Sequence, residues 1–291
     1  MQVFKFILET MRPKQWLKNV FVFAALVFDG QLTNRNSLLV TSFAFILFSL
    51  ASSLVYFIND LADIEKDREH PEKKRRPLAS GSLSKSTAYI SIVGLSLLTF
   101  PASFILNVNF GLIISGYVLL MLVYSLWLKH VPLIDVMIIS AGFVLRVAAG
   151  VVIIVTQRFS PWLFVATTFL SLFIALGKRR AEIQLLDNEA SSHRRVLEGY
   201  SLDLLDQFMT IIFSSTLMTY CLYTFSAEIK PGNYSMMLTI PFVIYALFRY
   251  LYLIRMKNFG GAPEEIVLRD RPMQAAIGLW GLTVILILYI F

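Results

Sequence analysis

The sequence predicts an all-α fold: a polytopic membrane protein of nine transmembrane helices, bundled around a cavity open to the cytoplasmic side. Three observations predict it. Hydrophobic residues form 57% of the 291-residue chain and charged residues 15%, with a mean hydropathy of +0.68, a balance far from that of soluble domains. The apolar residues gather into runs near the roughly 20 residues that cross a bilayer as a helix. Between these runs, Lys and Arg crowd onto alternate loops, as the positive-inside rule requires.

The runs are residues 16–29, 37–58, 88–106, 110–128, 132–156, 161–177, 207–227, 234–254 and 273–291. The first is short and is extended back through Met11–Lys18 as an interfacial turn. Trp16, Trp127, Trp162 and Trp280 lie at or near segment ends, where an aromatic belt places them. Helices follow from the solvent: lipid offers no hydrogen-bond partners, so each span must satisfy its own backbone. The N-terminal segment and the loops at 59–86, 129–131, 178–206 and 255–272 carry most of the 26 Lys and Arg, whereas the opposite loops hold Arg35, Arg158 and Lys230. The chain therefore reads as one integral-membrane domain, 1–291, multi-pass in the plasma membrane. Its N-terminus is cytoplasmic and its C-terminus outside. The long loops, 59–86, 178–206 and 255–272, share the cytoplasmic face, so function is expected there.

Several classes are excluded on the same grounds. The net charge of +7 is the cytoplasmic face of a membrane protein and implies no nucleic acid. Cys221 is alone, so no intramolecular disulfide forms. His70, His130 and His193 fall between apolar runs without zinc-ligand spacing. The start, MQVFKFILETMRPKQW, lacks the uninterrupted apolar core and cleavage site of a secretory signal.

The strongest motif follows the second run: Asn59-Asp60-x-x-Asp63-x-x-x-Asp67, then Lys73-Lys74-Arg75-Arg76. On a helix, positions 60, 63 and 67 share one face. Stacked carboxylates repel by a few tenths of a kcal/mol per pair, so a cation belongs between them. Mg²⁺ suits the place, since it binds few carboxylates together with substrate phosphates. A solvated helix end with interleaved Lys66 and Arg68 is the plainer reading, but carboxylates this close to a span are costly and usually functional.

With Arg76-Pro77-Leu78-Ala79-Ser80-Gly81 behind it, this motif resembles the first aspartate-rich motif of the UbiA superfamily of intramembrane prenyltransferases. The resemblance covers essentially the whole chain and implies a UbiA-like bundle. It makes Asp60, Asp63 and Asp67 the catalytic metal ligands, holding Mg²⁺ on a diphosphate. Most members carry a second aspartate-rich motif after the sixth span. Here Gly177-Lys178-Arg179-Arg180-Ala181-Glu182 stands in its place, three cations where carboxylates are usual, although positive-inside anchoring alone also accounts for such a run. Together with Arg12-Pro13-Lys14-Gln15-Trp16-Leu17-Lys18-Asn19, the chain resembles the polyprenyl-phosphate (decaprenyl-phosphate) phosphoribosyltransferase branch of actinobacterial cell-wall synthesis.

That resemblance implies transfer of a 5-phosphoribosyl group from 5-phosphoribosyl 1-diphosphate to a polyprenyl phosphate. Asn59 would hold a metal or phosphate oxygen. Lys178, Arg179 and Arg76 would bind donor phosphates, with Glu182 beside them. Lys14 and Lys18, at i and i+4 of one helix face with Asn19 adjacent, would steer the acceptor; snorkelling interfacial lysines are the bland counterpart. Tyr124, Lys129 and Arg146 are further substrate-binding candidates. Arg146, inside a span, is either paired structurally or lines the cavity. The last loop carries Glu264, Glu265, Arg269, Asp270 and Arg271; Asp270-Arg271 either closes the site or is a solvated cap. Two other functions remain in view. One is an ordinary UbiA-type prenyltransferase acting on an aromatic acceptor. The other is a transporter using Asp135 and Arg146 as intramembrane charges.

Overall fold

The computed structural model describes residues 2–71, 73–154, 156, 160–186, 195–226, 233–256, 266–267 and 269–290. Arg158, His193, Lys230, Glu264 and Glu265 lie outside them. Helices joined by turns and short irregular segments make up the described residues, with no strand among them. In order, the helices are α1 (Gln2–Met11), a 3₁₀ helix (Pro13–Phe23), α2 (Ala24–Phe28), α3 (Arg35–Ala62), α4 (Ile64–Glu69), α5 (Lys85–Leu106), α6 (Val108–Leu126), α7 (Ile134–Ile153), α8 (Pro161–Leu186), α9 (Leu202–Ser226), α10 (Ile240–Met256) and α11 (Arg271–Tyr289). Eight of these helices, α3 and α5–α11, are long and apolar enough to cross a membrane, α10 with the short 3₁₀ turn Ser235–Thr239 before it.

The first expected span, 16–29, differs from the expectation of an α-helix. It is the eleven-residue 3₁₀ helix running into the five residues of α2. Pro13 at its first turn lacks an N–H to donate. At a rise of about 2.0 Å per 3₁₀ residue and 1.5 Å per α residue, the pair reaches about 30 Å, a bilayer's hydrocarbon thickness. Two other boundaries also move. α8 continues to Leu186, so Lys178–Glu182 lies on a helix rather than in a loop. Trp280 sits mid-helix in α11 and donates to the Tyr220 hydroxyl at 2.7 Å, an interior contact rather than a belt position.

The chain divides into two compact units: residues 1–26, 31–128 and 145–156, and residues 27–30, 129–144 and 157–291. In the first unit, α3, α5 and α6 pack around Phe48, Ala51, Phe110, Ile114 and Tyr117. Asn34, Ser84 and Asn107 cap α3, α5 and α6, each side chain accepting from backbone N–H groups of the first turn. Asn107 also ends α5, so one residue turns the α5–α6 hairpin. Gly150 of α7 lies so close to the 3₁₀ helix that a Cβ there would fall 2.0 Å from the Val22 carbonyl oxygen. In the second unit, α8, α9 and α10 enclose Phe173, Leu205, Met209 and Tyr250. Ser140 and Ser171 hydroxyls meet at 2.7 Å across α7 and α8, the interhelical polar contact that lipid-embedded helices favour.

Candidate active site

Four side chains of the first unit form an ion-pair network at the end of α3. Asp60 is 2% exposed, and its Oδ1 accepts from Arg12 Nη2 at 2.5 Å and Arg76 Nη1 at 3.1 Å. The same Arg76 Nη1 reaches Asp67 Oδ2 at 2.6 Å. Two buried carboxylates thus converge on one guanidinium nitrogen. A cavity of about 280 Å³ opens beside them, lined by Glu9, Thr10, Arg12, Asp60, Arg75 and Arg76. The acidic motif is not one unbroken helix. α3 ends at Ala62, Asp63 is the junction at φ −102° and ψ 12°, and α4 resumes at Ile64. That backbone region is sparsely populated and is common at turns and active sites. The turn leaves Asp60 and Asp67 buried together, while Asp63 is half-buried.

An apolar cluster positions these charges. Met11, Phe57, Ile64, Leu78, Leu83 and Ala88 are buried against one another, so the residues flanking Arg12, Asp60, Asp67 and Arg76 are all anchored in one core. Leu83 N–H bonds Pro77 O, and Gly81 turns the chain at φ +80°, a conformation open to glycine. Arg12 is held from behind: Ser53 Oγ donates to Met11 O at 3.0 Å, and Trp16 Nε1 donates to Ser53 Oγ at 3.0 Å. Its guanidinium stacks 4.7 Å over the Tyr56 ring. Its backbone is left-handed, φ 53° and ψ 63°, immediately before Pro13. A non-glycine residue held there costs about 1–3 kcal/mol and persists only where its surroundings enforce it.

The oxygen set fits a hard divalent cation. Mg²⁺ takes oxygen ligands and binds through one or two carboxylates plus substrate phosphates; Asp60 and Asp67 supply two carboxylates aimed at a common point. Asn59 precedes Asp60 in the chain, and its Oδ1 is buried with no hydrogen-bond partner among the described residues, a buried acceptor able to take a ligand. Among the described residues no three acidic, His or Cys groups form a metal cluster by themselves.

The remaining expected residues sort by unit. Lys14 and Lys18 lie on the 3₁₀ helix. At three residues per turn, i and i+4 stand about 120° apart, so they do not share the face an α-helix would give them. Lys14 is exposed and Lys18 half-buried. Asn19 is fully buried; its Oδ1 accepts from Arg146 Nε at 2.8 Å and its Nδ2 donates to Ser49 Oγ at 3.0 Å. Arg146 Nη2 also donates to the Tyr117 hydroxyl at 3.0 Å, and the guanidinium lies 5.2 Å over Phe48 and 4.9 Å over Tyr117. Tyr124 is half-buried in α6.

In the second unit the basic motif turns inward. Arg179 is 1% exposed; its Nε donates to Asp135 Oδ2 at 2.6 Å and its Nη1 to Glu182 at 2.5 Å. Asp135 Oδ1 accepts from the Tyr200 hydroxyl at 2.7 Å, which in turn accepts from Leu133 N–H at 2.6 Å. Burial first, and the bond to Asp135 second, push the Tyr200 hydroxyl well above its ordinary pKa, so it stays a donor. Arg180 pairs with Asp206 at 2.7 Å, and Arg255 joins the same carboxylate at 3.1 Å. Lys178 is half-buried. Asp270 caps α11 by accepting from Met273 N–H and binds Arg249 at 2.8 and 3.1 Å, while Arg271 is exposed. The Arg249 hydrogen bonds hold the Asp270 carboxyl below its ordinary range. Lys129 is half-buried. Sequence reasoning missed Arg12, Asp206 and Tyr200. Only Arg12 carried a signal: it opens the Arg12–Asn19 motif on which the resemblance partly rests.

The fold and site define an integral-membrane α-helical protein with a carboxylate–arginine centre at the end of a span. The UbiA prenyltransferase family model matches residues 19–263, and the chain belongs to that family. It is 35% identical over 290 residues to the decaprenyl-phosphate phosphoribosyltransferase of Corynebacterium glutamicum, covering 97% of this chain and 86% of that protein. It is 34% identical over 282 residues to the protein of the same name from Mycobacterium tuberculosis, covering 96% and 92%. The solved UbiA homolog from Archaeoglobus fulgidus bound to DMAPP and Mg²⁺ matches with a TM-score of 0.72 at 19% identity, covering 98% of this chain and 99% of that one. That likeness establishes the shared fold.

Proposed function

We propose that this chain transfers 5-phosphoribose from 5-phosphoribosyl 1-diphosphate to a polyprenyl phosphate, releasing diphosphate, with Mg²⁺ as cofactor. The observation that carries it is the pairing of buried carboxylates with arginines: Asp60 lines one cavity with Arg12, Arg75 and Arg76, and Asp67 is bound to that same Arg76. Carboxylates alone would serve a metal, and arginines alone an anion. Both together serve a metal-bound diphosphate. The relatives named as decaprenyl-phosphate phosphoribosyltransferases support the choice of donor and acceptor.

In this reading Asp60 and Asp67, with Asn59 Oδ1 and Asp63, hold the divalent cation. When bound, that cation neutralises charge on the departing diphosphate. Arg76 and Arg12 bind phosphate oxygens through guanidinium forks suited to them. The bond from ribose C1 to the diphosphate oxygen breaks and its electron pair leaves with diphosphate. A lipid phosphate oxygen then forms the new bond to C1, which is oxocarbenium-like in between. The acceptor is already anionic, so no residue need take a proton. Arg179 is assigned to structure, since its guanidinium is consumed by Asp135 and Glu182; Lys178 keeps its role as a donor-phosphate ligand, and Lys14 and Lys18 keep theirs in steering the acceptor. The excess of Lys and Arg on one set of loops supports a cytoplasmic N-terminus and an outer C-terminus.

The test is transfer of label from phosphoribosyl diphosphate to polyprenyl phosphates of several lengths in detergent with Mg²⁺. Lipid-linked product is expected, lost in folded Asp60→Ala and Asp67→Ala proteins. No product with any chain length, or turnover of prenyl diphosphate onto an aromatic acceptor instead, overturns the proposal.

A further inference from the structure

We infer that Arg12 is an exchangeable counter-ion that makes the site bind a divalent cation and a phosphate-bearing substrate together rather than separately. The inference rests on the proposed use of this site by metal and phosphate, and goes on to the order in which charges are matched. Charge balance is its starting point. The four bonded side chains, Arg12, Asp60, Asp67 and Arg76, carry two positive and two negative charges. The other ionised residues lining the cavity, Glu9 and Arg75, also cancel. These six side chains are therefore neutral together, and the guanidiniums and carboxylates of the network are already paired; Asp63, half-buried next to the network, is a further acidic residue outside this count. A divalent cation taken up by Asp60 and Asp67 must compete with guanidiniums already there, and adds two positive charges beside them. A phosphate arriving alone finds Arg12 and Arg76 occupied by carboxylates. Each ligand thus removes the obstacle to the other, and such coupling is reciprocal by thermodynamic necessity.

Arg12 is the member built to move between partners. It is 28% exposed, whereas its partner Asp60 is 2% exposed, so the cation and not the carboxylate can swing. Arg76 bridges two carboxylates, but Arg12 holds Asp60 alone in this network. Stacking on Tyr56 keeps the guanidinium at the cavity edge whichever anion it serves. The left-handed backbone at Arg12, pinned through Met11 O by Ser53, aims the side chain at that edge while its head stays free to change partner.

The experiment is calorimetric titration of purified wild type, Arg12→Ala, Arg12→Lys and Arg12→Gly in detergent. The probes are Mn²⁺ alone, inorganic diphosphate alone, and diphosphate at buffered free Mn²⁺; melting curves report folding. Wild type should bind Mn²⁺ about tenfold more tightly with diphosphate present. Arg12→Ala should bind Mn²⁺ alone about fivefold more tightly and diphosphate with Mn²⁺ about tenfold more weakly, so the coupling collapses. Arg12→Lys keeps the charge and should keep most of the coupling. Arg12→Gly relieves the backbone and should bind as Arg12→Ala does, which separates charge from strain. A merely structural arginine would weaken both ligands; that result, or unchanged affinities in folded Arg12→Ala, overturns the inference while leaving the proposed function standing. Wild type that binds neither probe overturns both.

Discussion

Replacing Asp135 with alanine should destabilise the fold by about 3 kcal/mol. The carboxylate is wholly buried and takes bonds from Arg179 Nε at 2.6 Å and the Tyr200 hydroxyl at 2.7 Å. Removing one partner of a buried ion pair costs about 3–5 kcal/mol, because the other charge is left without compensation. Glu182, 24% exposed, still holds Arg179 at 2.5 Å, which places the loss at the lower end. With an unfolding entropy of roughly 2.1 cal/mol/K per residue, a chain of this length should lose about 5 °C of Tm. Tryptophan fluorescence melts in detergent at a fixed scan rate measure it. Removing both charges, in Asp135→Leu with Arg179→Met, should recover most of the loss, since well-packed apolar pairs replace buried ion pairs at little cost. A single variant that melts with wild type, or a double variant no better than the single, refutes this reasoning. The double variant also decides the role of Arg179. Recovered stability with lost diphosphate binding would return it to the substrate, against the assignment made above.

Three further outcomes are expected. Gly150→Ala should lower stability by about 1–3 kcal/mol, because its Cβ would meet the Val22 carbonyl and force backbone apart; an unchanged melt would deny that approach. Asn59→Ala should leave the metal-free Tm equal or higher, since it removes an unsatisfied buried acceptor, while shrinking the Tm gain on adding Mn²⁺; an undiminished gain would remove Asn59 from the ligand set. The Asp270 carboxyl is held below its ordinary 3.8 in the folded chain. Its contribution is therefore complete above that value and lost as pH falls below it towards the folded pKa. Asp270→Asn, which keeps an N-cap acceptor, should flatten this acid limb in pH-dependent melts and change little near neutrality.

The legible part of the fold was the part set by solvent. Apolar runs of membrane length and caps such as Ser84 and Asn107 are local signals, and eight long helices follow them. The 3₁₀ segment was not legible, because its apolar content resembles an α span and its winding is set by what it packs against. In the site, the grouping of Asp60, Asp67 and Arg76 was readable, since carboxylates at so costly a place draw cationic partners. Arg179 reads as a ligand in the sequence, whereas in the structure it pairs with Asp135 and Glu182. A cation near a span end reads as a ligand until its partners are known, and Asp135 and Tyr200 lie 44 and 21 positions away in the chain. Asp63 was expected on a continuous face; the junction that turns it aside is a tertiary choice.

The winding of the 3₁₀ segment has one more consequence. Trp16 bonds Ser53, Asn19 bonds Ser49, and the Phe23 ring lies 5.7 Å from Phe45. One strand of contacts advances by three or four residues while α3 retreats by four. Three residues of 3₁₀ and four of α both rise about 6 Å, so the step from Trp16 to Asn19 matches the step from Ser53 to Ser49. Rewound as α, residues 13–23 would shorten by about 5 Å, a full contact step. Asn19 would then leave Ser49 and Arg146, and Arg12 would be drawn from Asp60. A single inserted or deleted residue between Pro13 and Asn19 should do the same, making this stretch far less tolerant of length changes than any ordinary α span.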